Sequence, residues 1–198
     1  MQLVLASHNA GKLAELGALL GAVGIEVLPQ SHFGIDEIEE TGLSFVENAL
    51  LKARHAARIS ALPALADDSG LCVDALGGAP GLYSARYAGN DGNDQANILK
   101  LLDAMSEIRD EHRGAHFHCS LALLQHPEDP APLICDGRWH GRILHESRGE
   151  GGFGYDPVFL DTASGQSAAE LSRAEKAAVS HRGQALRQLL DALSKHPL

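Results

Sequence analysis

The chain is poor in cations, in cysteine and in long apolar runs. Its 16 lysines and arginines stand against 26 aspartates and glutamates, a formal net charge of −10 at neutral pH. Duplex nucleic acid is tracked by a basic stripe, so this balance argues against a nucleic-acid partner and leaves any anionic ligand to be captured by a few local cations. Only Cys72, Cys119 and Cys135 carry thiols. They are odd in number and lack metal-ligand spacing, which points to packed thiols in a reducing compartment. No hydrophobic run reaches the length of a spanning helix, so no membrane partner is expected. The N-terminus, Met1-Gln2-Leu3-Val4-Leu5-Ala6, lacks a basic region and reads as a first strand instead of a signal peptide, which places the protein in the cytoplasm. No internal repeat, low-complexity tract or linker marks a boundary, so residues 1–198 are expected to form one domain.

The 44% apolar and 21% charged residues that are present suit a globular chain long enough to bury a large core. Residues 3–6 read as a buried strand, and Leu13, Leu16, Leu20 and Val23 then repeat at helical spacing. A second strand follows at 26–29. Ser44-Phe45-Val46-Glu47 has capping-box form and opens a helix running to residue 59, with Pro63 just past its end. A short apolar run over 61–66 gives way to a turn at Asp67-Asp68-Ser69-Gly70. Residues 76–81 form a loop and 94–105 a helix. Phe117, Cys119, Leu121 and Leu123 share one strand face; Leu133, Cys135, Trp139 and Ile143 share another, and together they predict an antiparallel hairpin. His116 and His118 fall on a solvated strand face, and Trp139 belongs to a core or an interface. A glycine-rich loop at 149–154 and a helix over 172–193 close the chain, the helix opened by the capping-box pattern of Ser172 and Glu175 and interrupted at Gly183.

A few places can carry chemistry. Ser7-His8-Asn9-Ala10-Gly11-Lys12 sits between the first strand and the first helix, where unpaired N–H groups and the helix dipole favour an anion, Gly11 lets a ligand approach and Lys12 adds charge. The plainer reading is an Asn9 N-cap beside a solvated lysine. Asp67 and Asp68 offer paired carboxylates of the kind a hard divalent cation takes, although Asp-Ser-Gly is also ordinary turn chemistry. Glu40 and Lys52 lie at and along the second helix. Lys176, His181 and Arg182 bring cationic donors late in the chain.

Ser7 to Lys12, Glu39-Glu40-Thr41-Gly42, Ala66-Asp67-Asp68-Ser69-Gly70, Gly77-Gly78-Ala79-Pro80-Gly81, Gly151-Gly152-Phe153-Gly154-Tyr155-Asp156-Pro157 and Glu175-Lys176-Ala177-Ala178-Val179-Ser180-His181-Arg182-Gly183 resemble, in order, the motifs of the non-canonical purine nucleoside triphosphate pyrophosphatases, also called inosine or xanthosine triphosphate pyrophosphatases. The resemblance runs from the first strand to the last helix. It implies an α/β fold with an elongated central mixed sheet flanked by helices, two lobes with the active-site cleft between them, and a homodimer. It also implies Mg²⁺-dependent hydrolysis of ITP, dITP and XTP to the monophosphate and pyrophosphate. By motif position, Ser7, His8, Asn9, Ala10, Gly11, Lys12 and Lys52 would hold the triphosphate. Glu40 and Asp68 would bind the metal, with Asp68 also the catalytic proton acceptor. Ser69 would touch the substrate, and Phe153, Gly154, Tyr155, Asp156, Lys176, His181 and Arg182 would hold the base. His8 departs from the small residue found there in many relatives.

Overall fold

The computed structural model describes residues 2–89 and 93–195. Seven strands among the described residues form one sheet: β1 (Gln2–Ala6), β2 (Glu26–Pro29), β3 (Ala64–Val73), β4 (Gly114–Leu124), β5 (Leu133–Ile143), β6 (Phe159–Asp161) and β7 (Gln166–Ser167). Their order across the sheet is β2-β1-β3-β4-β5-β6-β7. β1 pairs parallel with β2 and β3, whereas β5 with β6 and β6 with β7 pair antiparallel, so the sheet is mixed as expected. Among the described residues five α-helices accompany it: α1 (Ala10–Gly21), α2 (Phe45–Ser60), α3 (Asp94–Ala104), α4 (Arg173–Val179) and α5 (His181–Lys195). No helix among the described residues is long and apolar enough to cross a membrane.

The chain divides into two compact units, the first made of 1–68, 119–136 and 185–198, the second of 69–118 and 137–184. The boundaries fall inside β3, β4, β5 and α5, which contribute residues to both.

In the first unit the two faces of β1 meet different partners, because successive side chains of a strand point to opposite sides. Leu3 and Leu5 join Leu16 and Leu20 of α1 and Ala185, Leu186 and Leu189 of α5 in one core. Val4 and Ala6 join Ala49, Ala53, Ala56 and Ala57 of α2 in the other. These four alanines are all fully buried, and so small a stripe lets α2 lie close against the strands. β4 serves both cores, with Leu121 and Leu123 on one face and Ala122 and Leu124 on the other. Only residues 114–119 of β4 keep the alternation read from the sequence; from Cys119 to Leu124 every residue is buried.

The second unit has a single core, in which Leu71, Val73, Phe117, Trp139 and Phe159 pack with Ile98, Leu101 and Met105 around α3. Phe117 sits 4.6 Å from the Phe159 ring and stacks on His181 at 4.8 Å. Trp139 is core, its indole N–H donating to Asp161 at 2.9 Å. Arg113 is 1% exposed and donates to the carbonyls of Met105, Ile108, Ile143 and Leu144, so one planar fork fastens the segment after α3 to the end of β5.

Three expectations are corrected. Residues 67–70 are not a turn but the middle of β3, because Leu71 and Val73 continue the buried strand and both carboxylates find cations that make burial tolerable. The last helix breaks at Ser180, which has extended backbone and caps α4, and not at Gly183. Gly183 lies inside α5, where a Cβ would collide with the Ala177 carbonyl. Val23 stands beyond the end of α1 and is 54% exposed, so it does not complete that helix's apolar stripe.

Candidate functional site

β1 ends at Ala6, and Ser7, His8 and Asn9 carry the chain into α1. Asn9 is the N-cap: its side-chain oxygen accepts the Lys12 N–H at 3.0 Å, and Ser7 Oγ accepts the Asn9 N–H at 3.2 Å. Ser7 and Asn9 thus organise the helix start. The first turn, with Ala10 and Gly11, presents backbone N–H groups and the positive end of the helix dipole. His8 points to Gln30, 2.7 Å from its Nδ1, and to Glu37, 3.3 Å away.

Ala66 pairs with Ala6, so Asp67 and Asp68 follow where β1 leaves the sheet. Strand alternation sends these neighbours to opposite faces. Asp67, on the side of Leu65, pairs with Lys12 of α1 and accepts a bond from Cys119 Sγ at 3.2 Å. Asp68, on the side of α2, pairs with Lys52 Nζ at 2.6 Å, and Lys52 also reaches Glu40 at 3.0 Å. The loop bearing Glu40 is drawn onto α2 by Gly42, whose N–H donates to Asn48 Oδ1 at 2.8 Å. A Cβ on Gly42 would lie 2.6 Å from that oxygen, which explains the glycine.

Burial raises the Asp68 pKa, Glu40 adds to the rise, and Lys52 and Lys12 oppose it. Burial also works against the charge on Lys52, but Asp68 and Glu40 outweigh it and hold the ammonium above its ordinary value. Around Lys52, then, two carboxylates from different elements meet one ammonium. That is a donor set that fits Mg²⁺, which takes one or two carboxylates plus water and phosphate oxygens. Among the described residues no group of three or more His, Cys, Asp or Glu side chains forms a metal cage.

In the second unit Asp156 organises another cluster. It is 3% exposed; its Oδ2 accepts the Phe153 N–H at 2.8 Å and the Lys176 ammonium at 2.6 Å. Gly152, at φ +75°, leaves that carboxylate the space a Cβ would fill. Lys176 Nζ and Arg182 Cζ stand 4.9 Å and 5.7 Å from the centre of the Phe153 ring, and Arg182 donates to Ser69 Oγ at 3.1 Å.

The structure therefore brings Ser7, Asn9, Ala10, Gly11 and Lys12 together at one helix start, and Glu40, Lys52 and Asp68 together at one ion-pair cluster. Phe153, Asp156, Lys176, Arg182 and Ser69 meet in the second unit. His181, expected beside them as a base contact, is 5% exposed and stacked on Phe117. Tyr155 departs further: its ring is core and its hydroxyl donates to the Ser84 carbonyl at 2.8 Å, so its side chain is a support. Sequence reasoning missed Asp94, which accepts the Gly154 N–H at 2.7 Å, as well as Asn48 and Ser84. Asn48 and Ser84 are polar residues buried in otherwise apolar surroundings, and that contrast becomes visible only once the fold is known.

A mixed sheet that carries neighbouring carboxylates on lysines in the middle of β3, and an aromatic ring with two cations over it, defines an α/β protein with two charged clusters. Residues 3–192 match the model of the Ham1 family. The dITP/XTP pyrophosphatase of Escherichia coli is 58% identical over 97% of this chain and 98% of its own length. That of Yersinia pestis is 59% identical with the same coverage. A HAM1 protein from Coxiella burnetii superposes with a TM-score of 0.91 at 52% identity, covering 98% of this chain and 99% of that one. The chain belongs to the Ham1 family.

Proposed function

We propose that this protein hydrolyses purine nucleoside triphosphates with deaminated bases, dITP, ITP and XTP, to the monophosphate and pyrophosphate, and so removes them before they enter DNA or RNA. The observation that carries the reading is the convergence of Glu40 and Asp68 on Lys52 beside the Lys12–Asp67 pair. A protein that only binds nucleotides needs cations alone; three carboxylates would repel a triphosphate unless a metal intervenes. The names of the relatives, at 58% and 59% identity, support the substrate.

In this reading Glu40 and Asp68 would hold Mg²⁺, which would supply charge neutralisation to the substrate. Lys12, Lys52 and the N–H groups at the start of α1, with Ser7, His8 and Asn9 around them, take the triphosphate. Asp68 offers a carboxylate oxygen to the water that attacks the α-phosphorus and accepts its proton. The bond from the α-phosphorus to the bridging oxygen breaks, and that oxygen leaves with pyrophosphate. Phe153 stacks on the base while Lys176 and Arg182 present donors to its edge, with Gly154, Asp156, His181 and Ser69 in support.

Phosphorus NMR of a reaction with ITP and Mg²⁺ decides the matter: equal amounts of IMP and pyrophosphate are expected, with turnover lost on chelation and restored by Mg²⁺. Orthophosphate as the first product would make the protein a phosphatase, and binding without turnover would make it a sensor.

The finer properties belong to the same proposal. Three free thiols, Cys72, Cys119 and Cys135, suit the cytoplasm. Tyr83, just after the glycine-rich loop of 77–81, is 62% exposed with the Arg86 guanidinium over its ring, and this exposed aromatic group fits a homodimer. Sedimentation at micromolar concentration is expected to give twice the chain mass; a monomer there contradicts it.

A further inference from the structure

The loop that carries Phe153 is tied at its base by the Gly151 N–H, which donates to the Ala169 carbonyl at 3.1 Å, and towards its tip by three more bonds, all within the second unit. Asp156 takes the Phe153 N–H, and the Tyr155 hydroxyl is bound to the Ser84 carbonyl. The third bond runs to α3, where Asp94 Oδ2 accepts the Gly154 N–H at 2.7 Å.

Asp94 is well suited to be a fixed post. It is the first residue of α3, directly after the N-cap Asn93, whose side chain accepts the Ala96 N–H. A carboxylate in a first helical turn is favoured by the helix dipole. α3 is itself anchored, by Ile98 and Leu101 in the core and by Asn97, which is 3% exposed, accepts the Ala88 N–H at 2.7 Å and donates to the Ala85 carbonyl at 3.2 Å. Gly154, by contrast, has φ +60°, and nothing lies within 4 Å of where a Cβ would stand. Packing does not hold the loop tip on that side, so its backbone bond to Asp94 sets where the tip sits. The next residue back is Phe153, whose ring has the Lys176 and Arg182 cations over it.

We infer that Asp94 is a positioning residue for base selection: by holding the Phe153–Gly154 peptide against α3, it keeps the aromatic ring in register with the two cations over it for a 6-keto purine. The inference rests on the reading that this cluster takes the base. Asp94 touches neither the phosphates nor the reacting atoms in that reading, so its effect is on recognition and not on the chemical step.

Asp94→Ala and Asp94→Asn are to be compared with wild type for ITP and ATP hydrolysis, with thermal unfolding measured on each. Losing one charge-assisted bond from a loop that touches the base should raise KM for ITP about fivefold to tenfold, leave kcat within about twofold and narrow the preference for ITP over ATP. Asn keeps an oxygen acceptor and is expected to recover most of the lost affinity. An Asp94→Ala enzyme with wild-type KM and an unchanged ITP-to-ATP ratio overturns the inference. So does one whose kcat and melting temperature fall together while KM stays put, since that is a merely structural role. A wild-type protein that releases no pyrophosphate from ITP overturns the reading underneath and this inference with it, and that failure is distinct from an active enzyme indifferent to Asp94.

Discussion

Asp68→Asn is expected to lower kcat with ITP by at least about a hundredfold, the scale of a positioned general base. The substitution keeps size and planarity, so the α2 face and β3 stay as they are. What disappears is a charge that answers Lys52 at 2.6 Å and offers an oxygen to metal and water. Because burial holds the Asp68 carboxyl above the ordinary carboxylate range, the working carboxylate form is lost earlier on acidification than at an exposed aspartate. In the metal-free protein the Asp68 carboxyl should therefore titrate above the usual carboxylate value, and this titration should be missing from Asp68→Asn. Steady-state rates with Mg²⁺ in excess read the loss of kcat, and carboxyl NMR of the metal-free protein across pH reads the titration. A variant with near-normal turnover would move the chemistry to Asp67 or Glu40.

Local patterns are legible in the sequence wherever their cause is local. The Ser172 and Glu175 capping box forms, and Asn9 is the N-cap that its position before α1 suggests. Asp67-Asp68-Ser69-Gly70 defies the sequence for the complementary reason. Every local cue there favours a turn, but the chain is held extended by tertiary partners: Lys12 and Lys52 on the two faces, and Ser84 Oγ, which accepts the Leu71 N–H at 2.9 Å. The break at Ser180 likewise brings Gly183 close to the Ala177 carbonyl, an approach that no periodicity in the sequence marks. At the site, motif resemblance names the residues but not their pairings. That Lys12 answers Asp67 while Lys52 answers Asp68 follows from strand alternation, a rule that has no purchase on a segment whose local cues spell a turn.

Arg182→Ala is expected to cut kcat/KM for ITP by about tenfold or more while costing ATP much less, compressing the preference between them. Hypoxanthine and xanthine present two acceptors along one edge, the 6-keto oxygen and N7, whereas adenine puts an amino donor at the 6 position. A guanidinium fork suits paired acceptors and is a poor partner for a donor. Arg182 is 3% exposed, so a donor left facing an adenine amino group would be a buried mismatch worth about 1–3 kcal/mol. Its Cζ stands over the Phe153 ring, 5.7 Å from the centre, and its Nη2 donates to Ser69 Oγ at 3.1 Å, which fixes the direction of the fork. Lys176 cannot replace it, because Asp156 fixes that ammonium as a point charge and it has no paired donors. Ser69→Ala is the control for orientation: it keeps the guanidinium but removes the bond that aims it, and should weaken ITP selection less than Arg182→Ala does. If ITP and ATP lose activity by the same factor in Arg182→Ala, the guanidinium serves the phosphates or the packing of α5, and base choice lies elsewhere.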